Sequence, residues 1–328
     1  MKLLPFPDEP VFICYHNKAF PFGIIQANAN GDFMKWLCSK SVGCIFNPSA
    51  GPDKFDLDII DQWGNIEGIT ERQTFNLKND MIGRIGIDLL SMLRIAIDNN
   101  CYIRGIFNEK YIPHKDAYDS YDYIHDFLII GYDDDYFYSA GYIENGRFRR
   151  FEIPVQNFLQ SLYDSERDMV QVEFISINRD FVLKPNIPWM ISELEKYVSN
   201  TDPEGNDRPS YGLSAIVKLR DFFIDEVKEK NRIYIDRRYS RVLLEHEWML
   251  TQVPELFLSD SDKTDYIIQA NANYERAQLI HMIGLKMSIT GNANLIEPVV
   301  KKMNEIMESE KIYLPGLIEA LKRNYGEK

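Results

Sequence analysis

Three closely spaced β-strand patterns between residues 124 and 154 restrict the fold of this chain more than any other part of its sequence. The three segments are rich in aromatic and β-branched residues, and short polar turns separate them, the first being the run Asp133 to Asp135. The predicted strands span residues 124–132, 136–142 and 147–153. Strands joined by such short turns run antiparallel, so the pattern predicts an antiparallel meander. A further strand is expected at 169–177.

From residue 189 onward the pattern is helical almost to the end of the sequence. The predicted helices span residues 189–198, 211–229, 233–252, 263–289, 293–310 and 314–325. Expected breaks between them lie at Gly291, Asn292 and Pro315. The sequence therefore predicts an α+β protein with two domains: a mixed domain over 1–182 that carries the antiparallel sheet, and an all-α helical bundle over 183–328.

Two further helices are expected before the meander. Residues 82–99 form an amphipathic pattern whose apolar stripe contains four residues: Ile85, Leu89, Leu93 and Ala96. The segment 14–39 has apolar residues at mixed helical spacing. Pro21 and Gly23 lie within it, so we expect an imperfect helix that is kinked or starts late. Polar, turn-forming residues between 199 and 210 indicate a loop.

The charge of the chain argues against a nucleic-acid partner. The 328 residues include 37 Lys and Arg against 50 Asp and Glu, a formal net charge of −13. A nucleic-acid surface requires basic residues gathered on one face, whereas the longest basic cluster here is the short one from Arg147 to Arg150. An acidic partner protein would therefore need a local basic patch as its docking site.

The sequence also predicts a location in the cytoplasm. No apolar stretch is long enough to cross a membrane, and prolines interrupt the N-terminal residues where a signal peptide would need an apolar run. Its cysteines are too few for a disulfide framework and lack the spacing of a zinc site. They are Cys14, Cys38, Cys44 and Cys101. A reducing compartment would keep these thiols free to react.

Cys14 is the candidate nucleophile. It follows an extended segment and precedes a predicted helix, and the free N–H groups at a helix N-terminus favour a thiolate. The same N–H groups can stabilise an oxyanion on an attacked carbonyl. The alternative for Cys14 is a small buried hydrophobic residue, which is the role expected of the other three cysteines.

His125 is the candidate base among five histidines. It opens a predicted strand, and strand ends can hold a catalytic group rigidly yet exposed. His246 and His281 lie inside predicted helices, and His114 lies in a polar loop. His16 is two residues after Cys14, a spacing at which two side chains on a helix point away from each other.

Other chemistries find little support in the sequence. Glu245, His246 and Glu247 begin like the zinc motif HExxH, but no second histidine follows at the required spacing. The aspartate run at 133–135 lacks the glycine and distal glutamate of a calcium loop. No glycine-rich phosphate loop is present. We therefore expect no metal and no cofactor, and a substrate that arrives already activated.

These motifs together resemble a known family. The shared features are Cys14, the His125 run His-Asp-Phe-Leu-Ile-Ile-Gly-Tyr-Asp-Asp-Asp, and the following runs Phe-Tyr-Ser-Ala-Gly-Tyr and Phe-Glu-Ile-Pro. They resemble the butirosin biosynthesis protein H-like family, which comprises papain-like, bacteriocin-peptidase-related proteins of secondary-metabolite pathways. Helical runs such as Tyr211-Gly212-Leu213 and the run 242–247 are also similar, so the resemblance covers most of the chain.

The resemblance implies a papain-like cysteine-protease fold and acyl transfer. An acyl group would pass from the phosphopantetheine thioester of an acyl or peptidyl carrier protein, through an acyl-cysteine, to a small-molecule amine. Cys14 would be the nucleophile and His125 the base. Relatives place an aspartate, which orients the histidine, where this chain has Gly141. Papain-type enzymes also carry a glutamine before the cysteine, a role that here falls to backbone N–H groups or to Gln26.

Two residues of the helical domain, Tyr211 and Glu245, are the expected pocket residues, because both lie in runs similar to the family. The helical domain would then cover or extend the substrate pocket. Two other functions stay open at this point. One is a cysteine peptidase or amidase, and the other is a catalytically inactive papain-like protein that binds or scaffolds.

Overall fold

The computed structural model describes residues 1–51, 53–58, 68–164, 168–199, 208–230 and 235–325. Its strands are β1 Lys2–Leu3, β2 Asn30–Gly31, β3 Cys44–Phe46, β4 Phe55–Leu57, β5 Thr70–Lys78, β6 Tyr102–Asn108, β7 Ile124–Tyr132, β8 Tyr136–Ile143, β9 Arg147–Pro154, β10 Met169–Ile177, β11 Val182–Leu183 and β12 Ser210–Tyr211. Its helices are α1 His16–Asn28, α2 Phe33–Cys38, α3 Asn79–Ile85, α4 Leu89–Asp98, α5 Val155–Tyr163, α6 Ile187–Ser199, α7 Leu213–Ile224, α8 Arg237–Phe257, α9 Asp260–Thr290 and α10 Ile296–Tyr325.

The chain forms two compact units, and each contains two segments of sequence. The first unit comprises Met1–Gly31 and Asp61–Val182, and the second comprises Asp32–Ile60 and Leu183–Lys328. One border falls between residues 182 and 183, where the sequence places the end of the first domain. The segment Asp32–Ile60 differs from that expectation, because its strand β3 pairs with β12 of the second unit and β4 pairs with β3.

An antiparallel sheet forms the centre of the first unit. Its strands lie in the order β5, β10, β6, β7, β8, β9, and β1 pairs with β7. The predicted meander is confirmed as β7, β8 and β9, in which Leu128 lies opposite Ala140 and Ala140 opposite Arg150. The strand predicted at 169–177 is confirmed as β10. The sheet also contains β5 and β6, which the sequence did not predict, and the fold is mixed α/β with an antiparallel sheet.

Helices α4 and α5 pack against strands of this sheet. Leu89 and Leu93 of the predicted stripe are buried and Ala96 is half-buried. Phe158 of α5 packs near the stacked rings of Phe107 and Phe127. The ring centroids of Phe107 and Phe127 are 4.0 Å apart. Contacts between aromatic rings therefore make up much of the core around β6, β7 and α5.

The single helix predicted at 82–99 is wrong in one respect. Gly86 takes a left-handed conformation with φ 75° and ends α3, and Asp88 then starts α4 by accepting a hydrogen bond from the Ser91 N–H. A left-handed residue cannot continue a right-handed helix, so the pattern divides into two helices. Ile85 consequently leaves the predicted stripe and is exposed.

The second unit contains the sheet β12–β3–β4 and helices α2 and α6 to α10. The break predicted at Gly291 is confirmed, because this residue is left-handed and ends α9. The break predicted at Pro315 is wrong, because α10 continues through it. Buried residues on both sides, Leu314 and Leu317 among them, stabilise the helix against the lost hydrogen bond. The predicted helix start at residue 233 and loop residues 200–207 lie outside the described residues.

Across the described ranges, no helix combines the length and the apolar character that a membrane span requires.

Candidate functional site

His125 lies on β7 with its ring held by a carboxylate. Its Nδ1 is 3.1 Å from Oε1 of Glu109. Strand register explains the contact, since His125 lies opposite Phe107 of β6 and Glu109 begins the short turn that ends that strand. The His125 side chain is 36% exposed, whereas that of Glu109 is buried. With Nδ1–H donated to Glu109, the Nε2 lone pair can accept a proton.

A buried lysine completes the environment of Glu109. Lys115 Nζ is 3.0 Å from Glu109 Oε1, donates to the carbonyl of Tyr142, and lies over the rings of Phe127 and Phe151. Burial lowers the pKa of Lys115 below its ordinary value. Burial acts to raise the pKa of Glu109, but its hydrogen bond with His125 and the charge of Lys115 outweigh burial and leave the pKa below its usual range. Glu109 is therefore held as a carboxylate.

His16 forms a second histidine–carboxylate pair beside the first. It is the first residue of α1, and its Nδ1 is 2.9 Å from Oδ1 of Asp126. The rings of His16 and His125 lie 4.6 Å apart, and Tyr142 stacks on the ring of His16 at 5.0 Å. Burial lowers the pKa of His16, so the neutral imidazole is favoured. Its Nε2 is buried and makes no hydrogen bond within the described part of the chain.

Asp126 connects this pair to a charged network across the sheet. Its Oδ2 accepts a hydrogen bond of 2.6 Å from Arg104 Nε, and Arg104 also pairs with Glu173. Burial opposes ionisation of Asp126, but the hydrogen bond from His16 and the charge of Arg104 hold its pKa well below the usual range. Asp126 therefore remains negative and fixes the orientation of His16.

Cys14 lies two residues before His16, in the segment that leads into α1. The helix begins at His16 with Tyr15 as its N-cap, so Cys14 precedes the helical turn instead of occupying it. Its side chain is only 2% exposed, and the thiol forms no disulfide. Two residues span at most about 7 Å of chain. The histidine pair and Cys14 therefore belong to one neighbourhood of the first unit.

The other three cysteines lack the features of a nucleophile. Burial raises the pKa of the Cys38 and Cys44 thiols, and it raises that of the half-buried Cys101 as well. Cys38 contacts the sulfur of Met249 at 3.1 Å. A raised pKa disfavours the thiolate, which fits the core role expected for these residues.

Gly141 faces His16. A Cβ atom built at this position would lie 3.9 Å from His16 Nε2 and 3.5 Å from Phe127 Cβ. An aspartate side chain at position 141, as in the relatives, would therefore lie next to the ring of His16. The carboxylate that contacts His125 comes from Glu109, on a different strand end.

The three expected substrate-binding residues have other surroundings. Gln26 accepts a hydrogen bond from the Val11 N–H at 3.3 Å, so its carbonyl oxygen ties α1 to the segment before Cys14. Tyr211 and Glu245 belong to the second unit. Tyr211 is exposed on β12, and Glu245 is buried on α8 with its carboxylate 2.8 Å from Arg241.

The two neighbouring histidines also offer ligand atoms for a cation. One atom each from His16, His125 and Asp126 lie within 4.8 Å of one another. Imidazole and carboxylate ligands together suit zinc and similar divalent ions. The chemical capacities of the site are therefore proton transfer by His125, stabilisation of charge by the Glu109–Lys115 and Asp126–Arg104 pairs, and cation binding.

Several of these residues escaped the sequence analysis. Glu109, Lys115 and Asp126 have no motif of their own, and His16 was set aside because of its spacing from Cys14. Asp126 carried a weak signal, since it is the second residue of the His-Asp-Phe run. Glu109 and Lys115 gave no comparable signal, because only the pairing of β6 with β7 brings Glu109 to His125.

Comparison with known proteins leaves the resemblance to the butirosin biosynthesis protein H-like family as a prediction: no family model matches the chain, and no curated protein matches it.

Proposed function

We propose that this protein is an amide-forming acyltransferase with a papain-like arrangement of Cys14, His125 and Glu109. One observation carries the proposal: Glu109 holds Nδ1 of the partly exposed His125, whose ring lies 4.6 Å from that of His16, two residues after Cys14. This arrangement leaves the other ring nitrogen of His125 available as a base. Glu109 takes the orienting role that relatives assign to the position of Gly141.

The proposed reaction needs no energy source beyond the thioester. Cys14, deprotonated by His125, attacks the thioester carbonyl, and the carrier thiol leaves with the proton. The resulting acyl-cysteine is attacked by an amine, which forms the amide and returns the proton to Cys14 through His125. Because one thioester replaces another, the first step is close to balanced in free energy, and amide formation drives the second.

The carrier protein would dock on a basic surface. Arg147 and Arg149 are both exposed on β9, the last strand in the described sheet order, and alternate residues of a strand point to the same side. Carrier proteins are acidic, so this arginine pair supplies the local positive charge that the net charge of −13 otherwise lacks. The cytoplasm is the proposed location, since such carriers are loaded there.

The burial of Cys14 favours a second candidate function. A thiol that is 2% exposed must become accessible before a thioester can reach it. A protein that keeps the fold but only binds a ligand or scaffolds a pathway has no such requirement. Replacing the Cys14 thiol would abolish the function of the acyltransferase but not that of the binding protein.

The deciding experiment measures covalent acylation by intact-protein mass spectrometry. The protein is incubated with acyl-loaded carrier proteins and simple acyl thioesters, without amine, alongside the variants Cys14→Ala and Cys101→Ala. We expect an adduct of one acyl group on the wild type and on Cys101→Ala, and none on Cys14→Ala. Cys101 is the matched control because it is the most exposed of the remaining thiols.

Addition of an amine panel then distinguishes transfer from hydrolysis. Loss of the adduct with formation of an amide supports the acyltransferase, whereas loss to water with cleavage of peptides supports a cysteine peptidase or amidase. An adduct that persists in Cys14→Ala contradicts the role of Cys14 as the nucleophile. No adduct from any donor contradicts the proposal and favours the binding protein.

A further inference from the structure

A polar cluster lies fully buried in the second unit. His246 and Glu247 are consecutive on α8, and Glu310 lies on α10. All three side chains have no exposed surface. One ligand atom from each lies within 4.8 Å of the others. Tyr197 of α6 donates its hydroxyl to Glu310 Oε2 at 2.8 Å.

The carboxyl groups of Glu247 and Glu310 lie against one another, and each has one oxygen without a donor in the described part of the chain. Glu247 Oε2 and Glu310 Oε1 make no hydrogen bond within the described residues, and neither does the buried hydroxyl of Tyr313. Over the same residues, no lysine or arginine forms an ion pair with either glutamate. Isolated carboxylates in a protein interior cost many kcal/mol, so two of them together need compensating positive charge or protons.

The contacts of His246 indicate that a proton or a cation lies between its Nδ1 atom and Glu247. Its Nε2 faces the carbonyl oxygen of Val42 at 3.3 Å, which requires that Nε2 carry the proton. The Nδ1 lone pair then faces Glu247 Oε1 at 3.0 Å. Two acceptors at this distance repel one another unless a proton or a cation lies beside both. A separation of about 3 Å also fits two neighbouring ligands of one ion with bonds of about 2.1 Å.

We propose that His246, Glu247 and Glu310 bind one divalent first-row transition-metal ion, with His246 coordinating through Nδ1. A dication balances the charge of both carboxylates, and the two oxygens that lack a hydrogen bond can coordinate it. One imidazole with two carboxylates suits zinc, manganese or ferrous iron, whereas magnesium and calcium prefer oxygen ligands alone. The Val42 carbonyl would orient His246 and the Tyr197 hydroxyl would orient Glu310 by hydrogen bonds, as groups around metal ligands commonly do.

The site would join parts of the second unit that are distant in sequence. Glu310 supplies the ligand that the incomplete HExxH pattern of α8 lacks, from a helix that begins at Ile296. Metal binding at a site without solvent access occurs during folding, so its free energy contributes to the stability of the unit. The ion would thus be structural and independent of the chemistry at Cys14.

The test measures the metal content of the full-length protein, purified without an affinity tag, by inductively coupled plasma mass spectrometry. It compares the wild type with Glu310→Gln and with Glu308→Gln, the same substitution at an exposed position of α10. We expect about one equivalent of zinc, manganese or iron per chain in the wild type and in Glu308→Gln, and at least a tenfold lower content in Glu310→Gln.

A refolding experiment tests the same site without any substitution. Denatured protein is refolded with a chelator or with Zn²⁺, Mn²⁺, Co²⁺, Mg²⁺ or Ca²⁺, and the melting temperature is measured. Transition-metal ions should raise it by about 5 °C or more over the chelator sample, and magnesium and calcium should not. The Co²⁺ sample should show the visible absorption of nitrogen and oxygen ligation.

Two results would overturn the proposal. One is a native protein with less than a tenth of an equivalent of any transition metal and no ion-dependent melting temperature. The other is unchanged metal content in Glu310→Gln. If protons alone neutralise the cluster, Glu310→Gln should melt at or above the wild-type temperature in chelator and in metal alike.

Discussion

At the scale of single residues, the first unit holds two histidines by the same device. Each histidine places Nδ1 against a carboxylate, His125 against Glu109 and His16 against Asp126. Each carboxylate is in turn neutralised by a cation, Lys115 for Glu109 and Arg104 for Asp126. The cations keep the carboxylates ionised, so both rings are held in one tautomer and one orientation.

Replacing Glu109 by glutamine should impair transfer more than binding. Glutamine keeps the size of the side chain but removes the charge that holds His125, and comparable losses in histidine–carboxylate systems reduce turnover strongly. We expect kcat for acyl transfer to fall by about 100-fold or more, with KM changed by less than about threefold. Steady-state kinetics on a thioester donor and an amine measures both.

The exposed Glu144→Gln is the control for Glu109→Gln and should keep wild-type kcat. A Glu109→Gln variant with normal kcat and a normal melting temperature would show that this carboxylate does not orient the base.

Asp126 should make the stability of the protein sensitive to acid. Its folded pKa lies below the unfolded value of about 3.9, so the stabilisation is complete above that value and is lost progressively as the pH falls from it toward the folded pKa. Asp126→Asn leaves Arg104 without this partner, and breaking such a buried pair costs about 3 kcal/mol. Urea unfolding between pH 3 and pH 7 measures both effects.

In the Asp126→Asn variant the decline in stability below about pH 4 should be shallower than in the wild type. Asp119→Asn removes an exposed carboxylate, and asparagine tolerates the left-handed φ of 53° at this position. It should follow the wild-type curve. Parallel curves for wild type and Asp126→Asn would contradict the role given to Asp126.

At the scale of secondary structure, local backbone geometry divides elements that hydrophobic patterns leave continuous. The amphipathic pattern over 82–99 continues through Gly86, but the chain turns there because the glycine is left-handed. Pro315 has the opposite effect, since α10 continues through it. Whether a helix ends at such a residue depends on the backbone conformation of the glycine or on the burial of the helix face. The spacing of apolar residues indicates neither.

Two neighbouring glycines provide a matched test of this division. Gly86→Ala should lower the free energy of unfolding by about 1 kcal/mol, because alanine resists the left-handed conformation and no atom lies near enough to clash. Gly83→Ala, in the interior of α3 and equally open, should raise it by up to about 1 kcal/mol. Denaturant unfolding gives both values, and equal effects of the two substitutions would refute the argument.

At the scale of the whole molecule, the second unit depends on a segment that lies far from the rest of it in sequence. Within Asp32–Ile60, Trp36, Leu37 and Val42 are buried, and β3 lies between β12 and β4. The Ser39 hydroxyl also accepts a hydrogen bond from the Asn186 N–H at 3.0 Å.

A fragment of residues 183–328 should therefore fail to fold by itself. Each large buried side chain contributes about 1.5–3 kcal/mol, so the loss of several exceeds the usual net stability of a domain. We expect a helical fragment without a cooperative thermal transition, measured by circular dichroism. Adding a peptide of residues 32–60 should restore the transition, and the same peptide with Trp36→Ala should restore less. A cooperative transition of the fragment alone would contradict this expectation.

Much of the fold was accessible to sequence analysis. The strands β7, β8, β9 and β10 and most of the late helices follow from periodicity and turn residues, because local sequence determines these directly. Strand β5 escaped because its residues are largely polar and exposed. Membership of Asp32–Ile60 in the second unit escaped because strand pairing between distant segments leaves no local pattern.

The candidate site shows the same boundary between local and distant information. Sequence alone singled out Cys14 and His125, since each residue type has its own chemistry and its own position beside an element end. The tertiary structure placed Glu109 against His125, Asp126 against His16, and Glu310 against His246. A carboxylate acquires such a role only from the neighbour that its strand or helix packs against, and that neighbour is set by packing of the whole chain.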